Sequence, residues 1–496
     1  MKLSSLLIGL VTTRISGDPH IEINRIVVDS RQVKQGDLFV CIPGLTVDGH
    51  RFAAEAIANG AVALMTDREM AGLSDPITIV QVRDTRRALA VMADAFYGHP
   101  SHRLKLIGVT GTNGKTTTTH MIETILNRYG QKTGLIGTMY MRIGEHQEKT
   151  VNTTPESLEL QRYLHDMKKH GAEYAVVEVS SQAIDMGRVR GCDFKTAVFT
   201  NLTHDHLDYH RTMDRYLHTK ALLFAQLGNK FGAPPKTAVL NTDDPAAQYI
   251  AEQTSATLVT YGIRHPADVW ASDIRTMPDG TTFTANTFRG AFPIRLNIVG
   301  WFNIYNALAA IAVCLIEGVP VEHIRSGLAS FMGVKGRFQP IRSGQDFSVI
   351  VDYAHNPDGL EKALRTAREL TSGKLICVFG CEGDRDREKR PMMSQIAAQW
   401  SDLAILTSDN PRSEDPDRII DEMARGLGAN PFADRCLRIT DRREAIRHAI
   451  HAAGTQDCVI IAGKGHETVQ IVKTDKLPFD DSEVAAEFIR ERSRSR

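Results

Sequence analysis

The chain has 496 residues, too many for one ordinary domain, and a prior of roughly 150 residues per domain gives about three. Hydrophobic residues make up 42% and charged residues 24%, the balance of a globular protein. Lys plus Arg and Asp plus Glu are 59 each, so no basic excess points to a nucleic acid or an anionic membrane, although a local pocket for phosphates stays open.

The stretch Leu3 to Val11 is apolar after one lysine but lacks a small-residue cleavage site, and it reads as a short amphipathic helix. Short strands and a helix over Phe52–Asn59 follow, closing at His99-Pro100-Ser101-His102. A second block opens with strand Leu104–Thr110, then a helix from Lys115. Leu160, Tyr163, Leu164 and Met167 recur at helical spacing within 158–170, and strands Tyr174–Val179 and Thr196–Thr200 come next. A third block follows Gly336-Arg337, with strand Ser348–Asp352, a helix over Asp358–Leu370, and strands Leu375–Phe379, Leu403–Thr407 and Cys458–Ala462. Buried strands alternating with helices predict α/β domains with parallel sheets, divided as residues 1–100, 101–334 and 335–496. The charged tail Arg490–Arg496 reads as frayed. Seven cysteines without CxxC pairs read as reduced thiols, and no run reaches the roughly 18 apolar residues that span a bilayer, so a cytoplasmic protein is expected.

The strongest local signal is Gly108-Val-Thr-Gly-Thr-Asn-Gly-Lys-Thr-Thr. Glycines after a strand let backbone amides turn toward phosphate oxygens, and the following helix N-terminus adds partial positive charge. Lys115 suits the β- and γ-phosphates, and the Thr116 hydroxyl suits Mg²⁺. The usual pattern wants a glycine where Val109 stands, so this is a variant loop.

TGTNGKTT resembles the ATP loop of the Mur ligases and the folylpolyglutamate synthases. Further motifs follow in the family's order: Asn152-Thr-Thr-Pro, Glu178-Val-Ser-Ser, Thr200-Asn-Leu-Thr-His-Asp-His, Tyr216-x-x-x-Lys220, Asn303-x-x-Asn306, Gly336-Arg337 and Asp352-Tyr-Ala-His-Asn-Pro. Asp29-Ser-Arg, the Asn-Thr-Thr triplet and Asp409-Asn-Pro-Arg412 resemble the diaminopimelate-adding members. The resemblance implies a small N-terminal UDP-binding α/β domain, a central P-loop ATPase-type parallel-sheet domain and a C-terminal Rossmann-like domain. It also implies a monomer that binds only small molecules, namely ATP with Mg²⁺, UDP-N-acetylmuramoyl-dipeptide and meso-diaminopimelate. The expected chemistry is amide formation through an acyl phosphate. The same ligation with L-lysine, a folylpolyglutamate synthase and a nucleotide-dependent switch are the rivals.

By resemblance, Gly111, Thr112, Asn113, Gly114, Lys115, Thr116, Thr117, Asn306, Arg337 and Asp352 bind ATP. Thr116 and Glu178 hold Mg²⁺, His210 holds a second metal with His206 the other candidate histidine, and Lys220, carbamylated by CO₂, is a carboxylate-like metal ligand. Taken alone, Lys220 reads as an exposed helical lysine. Val28, Ser30, Leu45, Thr46, Val47, Asn152, Thr153, Thr154, Ser180 and Arg188 contact the UDP-sugar peptide. Arg385, Asp409, Asn410, Pro411, Arg412, Gly463 and Glu467 bind the amino acid, Arg412 taking the distal carboxylate and Glu467 the distal ammonium. Three positions depart from the family pattern: Gln182 for a histidine, Met186 for a glutamine and Glu382 for a glycine.

Overall fold

The computed structural model describes every residue except 12, 45–46, 71–76, 229–234, 429–432 and 495–496. Three sheets follow one another along the chain, with a small hairpin, Val469–Val472 with Asp475–Pro478, beside the last. The first sheet orders its strands Arg14–Ser16, Thr78–Gln81, Ala61–Thr66, Asp37–Val40 and Ile26–Val27, parallel except at the first pair. Its N-terminal helix is only Leu3–Leu6, shorter than the apolar stretch suggests, because Ile8 and Val11 face solvent.

The central sheet has eleven strands, seven of them a parallel core from Val269–Met277 through Lys105–Thr110 to Thr133–Ile136. Purely parallel pairing is a correction: antiparallel ribbons extend both edges, Gly280–Thr287 and Gly290–Leu296 on one side, Met141–Ile143 and His146–Glu148 on the other. A parallel strand needs a long crossover, whereas Asp279-Gly280 and Arg289-Gly290 turn the chain straight back. Helix Trp301–Ile316 is buried on nearly every side and packs on helix Lys115–Arg128, so the helix behind the phosphate loop sits on an apolar bed of Ala307, Leu308, Ile311 and Leu315. Each such fully buried aliphatic side chain contributes about 1.5–3 kcal/mol.

The third sheet runs Gln339–Pro340, Ser348–Asp352, Cys458–Ala462, Leu375–Phe379, Leu403–Leu406 and Cys436–Arg438, parallel after its first pair. The described part of the C-terminal tail is not frayed: helix Asp481–Arg494 takes it in up to Arg494, because Val484, Ala485, Phe488 and Ile489 bury one face. Arg442 and Asp481, both fully buried and 2.7 Å apart, pin its start. No disulfide joins any cysteine among the described residues. No helix among the described residues is long and apolar enough to cross a membrane.

The third sheet's unit docks on the central one around the phosphate loop. Asn356 caps helix Pro357–Leu370 by accepting from Gly359 N at 2.8 Å, while its Nδ2 crosses to Asp205 at 2.9 Å. Asn113 Nδ2 donates to Asp358 at 2.7 Å, and His204 Nε2 meets Asp386 at 3.1 Å.

Candidate active site

Strand Lys105–Thr110 ends in the middle of the central sheet, so the loop that follows opens at the carboxyl edge of the parallel strands. Gly111 and Gly114 both have left-handed φ, of 149° and 87°. A Cβ on Gly111 would stand 1.9 Å from Thr200 Oγ1, and one on Gly114 2.4 Å from Asn306 Oδ1, so neither position admits a side chain. Lys115 Nζ donates to the carbonyls of Gly111 and Thr112, each at 2.8 Å, and desolvation pushes it below the ordinary lysine value against the pull of Glu178. Thr112, Asn113, Thr116 and Thr117 line the same cavity, which has a volume of about 840 Å³ and is walled on the far side by Arg337, Asp352, Tyr353 and His355.

Three parts of the chain meet at one hydroxyl. Thr116 Oγ1 donates to Glu178 Oε2 at 2.9 Å and accepts from Arg337 Nη2 at 3.1 Å. Glu178 ends strand Tyr174–Glu178, is 0% exposed, and also accepts from Thr138 N at 3.0 Å and Thr138 Oγ1 at 3.1 Å. The Arg337 guanidinium lies 4.5 Å over the Tyr353 ring. Asn306 sits against Gly114 and is fixed by Thr118 and Asn303. Asp352 accepts the amides of Phe338 at 2.6 Å and Ala354 at 2.8 Å, and burial raises its pKa.

His210 and Lys220 lie behind the loop, outside the cavity wall, and come together on the Tyr216 ring, 5.0 Å and 4.5 Å from its centroid. The exposed helical lysine is corrected: Lys220 is 1% exposed and donates to Gly111 O at 2.9 Å. Tyr216, Thr219, Lys220, Leu223 and Phe224 form the buried stripe of helix Met213–Ala225. Burial, then the neighbouring Lys115, drives the Lys220 amine well below its ordinary value. His210 Nε2 meets Ser181 Oγ at 2.8 Å and its Nδ1 is buried without a partner; burial and Lys220 push the ring down to about 4. His206 lines the cavity and is likewise pushed to about 4 by burial.

Thr153, Thr154, Ser180 and Arg188 gather beside Glu178. Thr154 Oγ1 donates to Glu178 O at 2.7 Å and accepts from Ser180 N at 3.0 Å, and Thr153 Oγ1 lies 3.2 Å from Thr138 Oγ1. Arg188 is no solvated charge: its side chain is 11% exposed, donates to Thr154 O at 3.0 Å and pairs with Glu156 at 2.8 Å. Met186 Sδ accepts from it at 3.5 Å. Asn152 is exposed, and Gln182 is half-buried in helix Ser181–Asp185. Val28, Ser30 and Val47 lie in the first sheet's unit, apart from the cavity wall; Ser30 Oγ donates to Glu55 at 2.9 Å, while Val28 and Val47 are exposed. Leu45 and Thr46 lie outside the described residues.

In the third unit a second cluster forms around Glu382. Arg412 Nη2 and Asn410 Nδ2 each donate to Glu382 Oε1 at 3.2 Å, and Arg385 Nε donates to Oε2 at 3.3 Å. Lys464, fully buried, donates to Asn410 Oδ1 at 2.9 Å and Glu467 Oε2 at 2.8 Å. Gly463, at φ 115°, packs on Asp409, whose buried carboxyl is pushed up to about 6 against Lys464 and Arg442. Pro411 carries the chain from Asn410 to Arg412, whose φ is 51°. The cluster adjoins the cavity through Tyr353, whose ring meets His355 at 4.6 Å and His466 at 4.9 Å.

Sequence reasoning passed over Thr138, Asn201, Asp205, Asn356 and Lys464. Asn201 Oδ1 accepts Asn113 N at 2.9 Å, and Asp205 and Asn356 join the two units. Asn201, Asp205 and Asn356 sit inside motifs already singled out, and Lys464 lies between the candidates Gly463 and Glu467, so position in the sequence was the available signal for these four.

A parallel sheet with a phosphate loop at its carboxyl edge, a second α/β unit docked on it and acid–base clusters on both sides define a nucleotide-dependent transfer enzyme. Family models agree: a Mur ligase middle domain matches residues 109–314, a Mur ligase glutamate ligase domain 336–465, and a Mur ligase family catalytic domain 22–97. The chain belongs to the Mur ligase family. It is 51% identical over 493 residues to a UDP-N-acetylmuramoyl-L-alanyl-D-glutamate--2,6-diaminopimelate ligase of Geobacillus kaustophilus, covering 99% of this chain and 100% of the relative. Among solved structures, one of a ligase of that same description is similar at 34% identity and TM-score 0.65, covering 95% of both chains. MurF from Acinetobacter baumannii, at 23% identity and TM-score 0.68 over 94% of both, shares the fold.

Proposed function

We infer that this enzyme is an ATP-dependent ligase joining meso-diaminopimelate to UDP-N-acetylmuramoyl-L-alanyl-D-glutamate. The observation that carries the reading is the meeting at Thr116, where the phosphate loop, the buried Glu178 and Arg337 of the third unit share one hydroxyl. Transfer of a phosphoryl group to a carboxylate crowds negative charge, and cations aimed from two sides lower that cost. Lys115 and Arg337 supply them. Residues 101–334 bind ATP through the loop and Asn306, with Asp352 reaching in from residues 335–496; residues 1–100 hold the UDP end through Val28, Ser30 and Leu45 to Val47. Asn152, Thr153, Thr154, Ser180 and Arg188 take the sugar-peptide, and residues 335–496 bind the amino acid. The D-glutamyl γ-carboxylate becomes an acyl phosphate with release of ADP, the incoming amine attacks, and phosphate leaves.

The residues present fit a divalent cation. Glu178 offers a buried carboxylate beside the Thr116 hydroxyl. With Ser181 Oγ accepting from Nε2–H, the unpartnered His210 Nδ1 is a bare lone pair. Lys220 has one carbonyl partner and no solvent, an environment that favours a neutral amine, the form that adds CO₂ to become a carbamate. Mg²⁺ held by Thr116 and Glu178, with a second ion held by His210 and carbamylated Lys220, would neutralise phosphate charge. Arg412, Arg385 and Glu467 provide charged partners, and Asn410 a neutral polar one, for the two ends of diaminopimelate. We assign the enzyme to the cytoplasm, supported by its unbridged cysteines and nucleotide substrates, and take it as a monomer by resemblance to the family. Heavy-oxygen label placed in the substrate γ-carboxylate should appear in the released phosphate; unlabelled phosphate would remove the acyl-phosphate step.

A further inference from the structure

Glu382 stands where the site needs its arginines free. Its Oε1 accepts from Arg412 and Asn410, and its Oε2 from Arg385, so one internal carboxylate bridges Arg412, assigned above to the distal carboxylate, and Arg385, assigned to the same amino acid. Arg412 Nε is meanwhile buried without a partner, so half of its fork is unused. A bidentate carboxylate on Arg412 takes two adjacent donors, and on the Nε–Nη2 edge it must share or replace the bond to Glu382. The competitor stays charged: burial works against ionisation, yet Arg412 and Arg385 hold the Glu382 carboxyl down at about 2. Glu467 turns its Oε2 to Lys464 and Asn410 instead.

We propose that Glu382 is a specificity-determining residue, a built-in carboxylate that competes with the distal carboxylate of the amino acid for Arg412. This rests on the assignment of the Arg412 cluster as the diaminopimelate pocket. A ligand that brings a carboxylate to each arginine has to displace Glu382, which raises its KM. A diamino acid without the distal carboxylate leaves the Arg412–Glu382 pair intact, so no buried cation goes unpaired. Strong rejection of an analogue depends on leaving the site's own charges unpaired. Glu382 therefore weakens the discrimination that Arg412 creates.

Phosphate release by the full chain, with UDP-N-acetylmuramoyl-L-alanyl-D-glutamate, ATP and Mg²⁺, is measured against meso-diaminopimelate and against L-lysine. Wild type is compared with Glu382→Gln, which keeps the side-chain volume, and Glu382→Gly. The KM for diaminopimelate should fall about ten- to a hundredfold, and the lysine-to-diaminopimelate KM ratio should rise at least as much, as expected for releasing one charge-assisted bond. A purely structural role would not lower a KM. If the glycine variant unfolds on heating below wild type, the glutamine variant decides. An unchanged or raised KM for diaminopimelate in a folded variant overturns the proposal alone; wild type inert toward diaminopimelate sinks the functional reading and takes this proposal with it.

Discussion

Replacing Arg337 with alanine tests whether the two units work as one site. Its Nη2 donates to Thr116 Oγ1 at 3.1 Å, and its guanidinium lies 4.5 Å over the Tyr353 ring. A hydrogen bond from a charged donor contributes about 1.5–3 kcal/mol, and a cation–π contact about 0.5–2 kcal/mol. Arg337 is half-buried, so the lower part of the combined range applies. At about 1.4 kcal/mol per factor of ten, Arg337→Ala should lose about 30- to 300-fold in kcat/KM for ATP-dependent phosphate release. The contact crosses between units, so thermal unfolding should change little. Arg337→Lys should recover only part of the loss, because an ammonium cannot bond Thr116 and cover the ring together. A kcat/KM for the alanine variant within about threefold of wild type would refute the reasoning.

Lys220→Ala should lower turnover by about a hundredfold or more, with partial recovery on adding a small carboxylate such as formate; full activity without rescue would remove Lys220 from the site. Arg442→Ala leaves Asp481 buried and unpaired, and should cost about 3–5 kcal/mol in denaturant unfolding of the third unit. A loss below about 1 kcal/mol would mean that the terminal helix is not pinned there. Asp409 has its pKa raised to about 6 by burial, so its contribution to stability is present below the ordinary aspartate value and is lost as pH rises through about 6. Asp409→Asn should therefore raise the unfolding temperature relative to wild type at about pH 8 and give little gain at about pH 3.5; equal gains at both would show that Asp409 does not titrate this way.

What the sequence revealed followed locality. The phosphate loop was legible because glycines, lysine and helix start lie within ten residues, and Gly111 and Gly114 do take the left-handed conformation. Strands Ser348–Asp352, Leu375–Phe379 and Cys458–Ala462 stood out as continuous apolar runs, as buried parallel strands do. The ribbons Gly280–Thr287 and Gly290–Leu296 went unread although Asp279-Gly280 and Arg289-Gly290 mark their turns, since their threonines and charges blur the alternation. Lys220 showed the opposite failure: its charge suggested solvent, while its place on the Tyr216–Thr219–Leu223–Phe224 face of the helix pointed inward. The terminal arginines misled in the same way, hiding the Val484–Phe488 face that docks the helix. Glu382 was noticed as a departure, but its bridge between Arg385 and Arg412 joins residues up to thirty positions apart and needs the fold to be seen.

The measurement that tests the central claim most directly is phosphate release by purified protein with UDP-N-acetylmuramoyl-L-alanyl-D-glutamate, ATP and Mg²⁺, comparing meso-diaminopimelate with L-lysine. Release that requires acceptor and amine together, and that runs with diaminopimelate well ahead of lysine, is the result this account predicts. Release without either substrate would mean a nucleotide hydrolase, and equal or faster turnover with lysine would contradict the role given to Arg412.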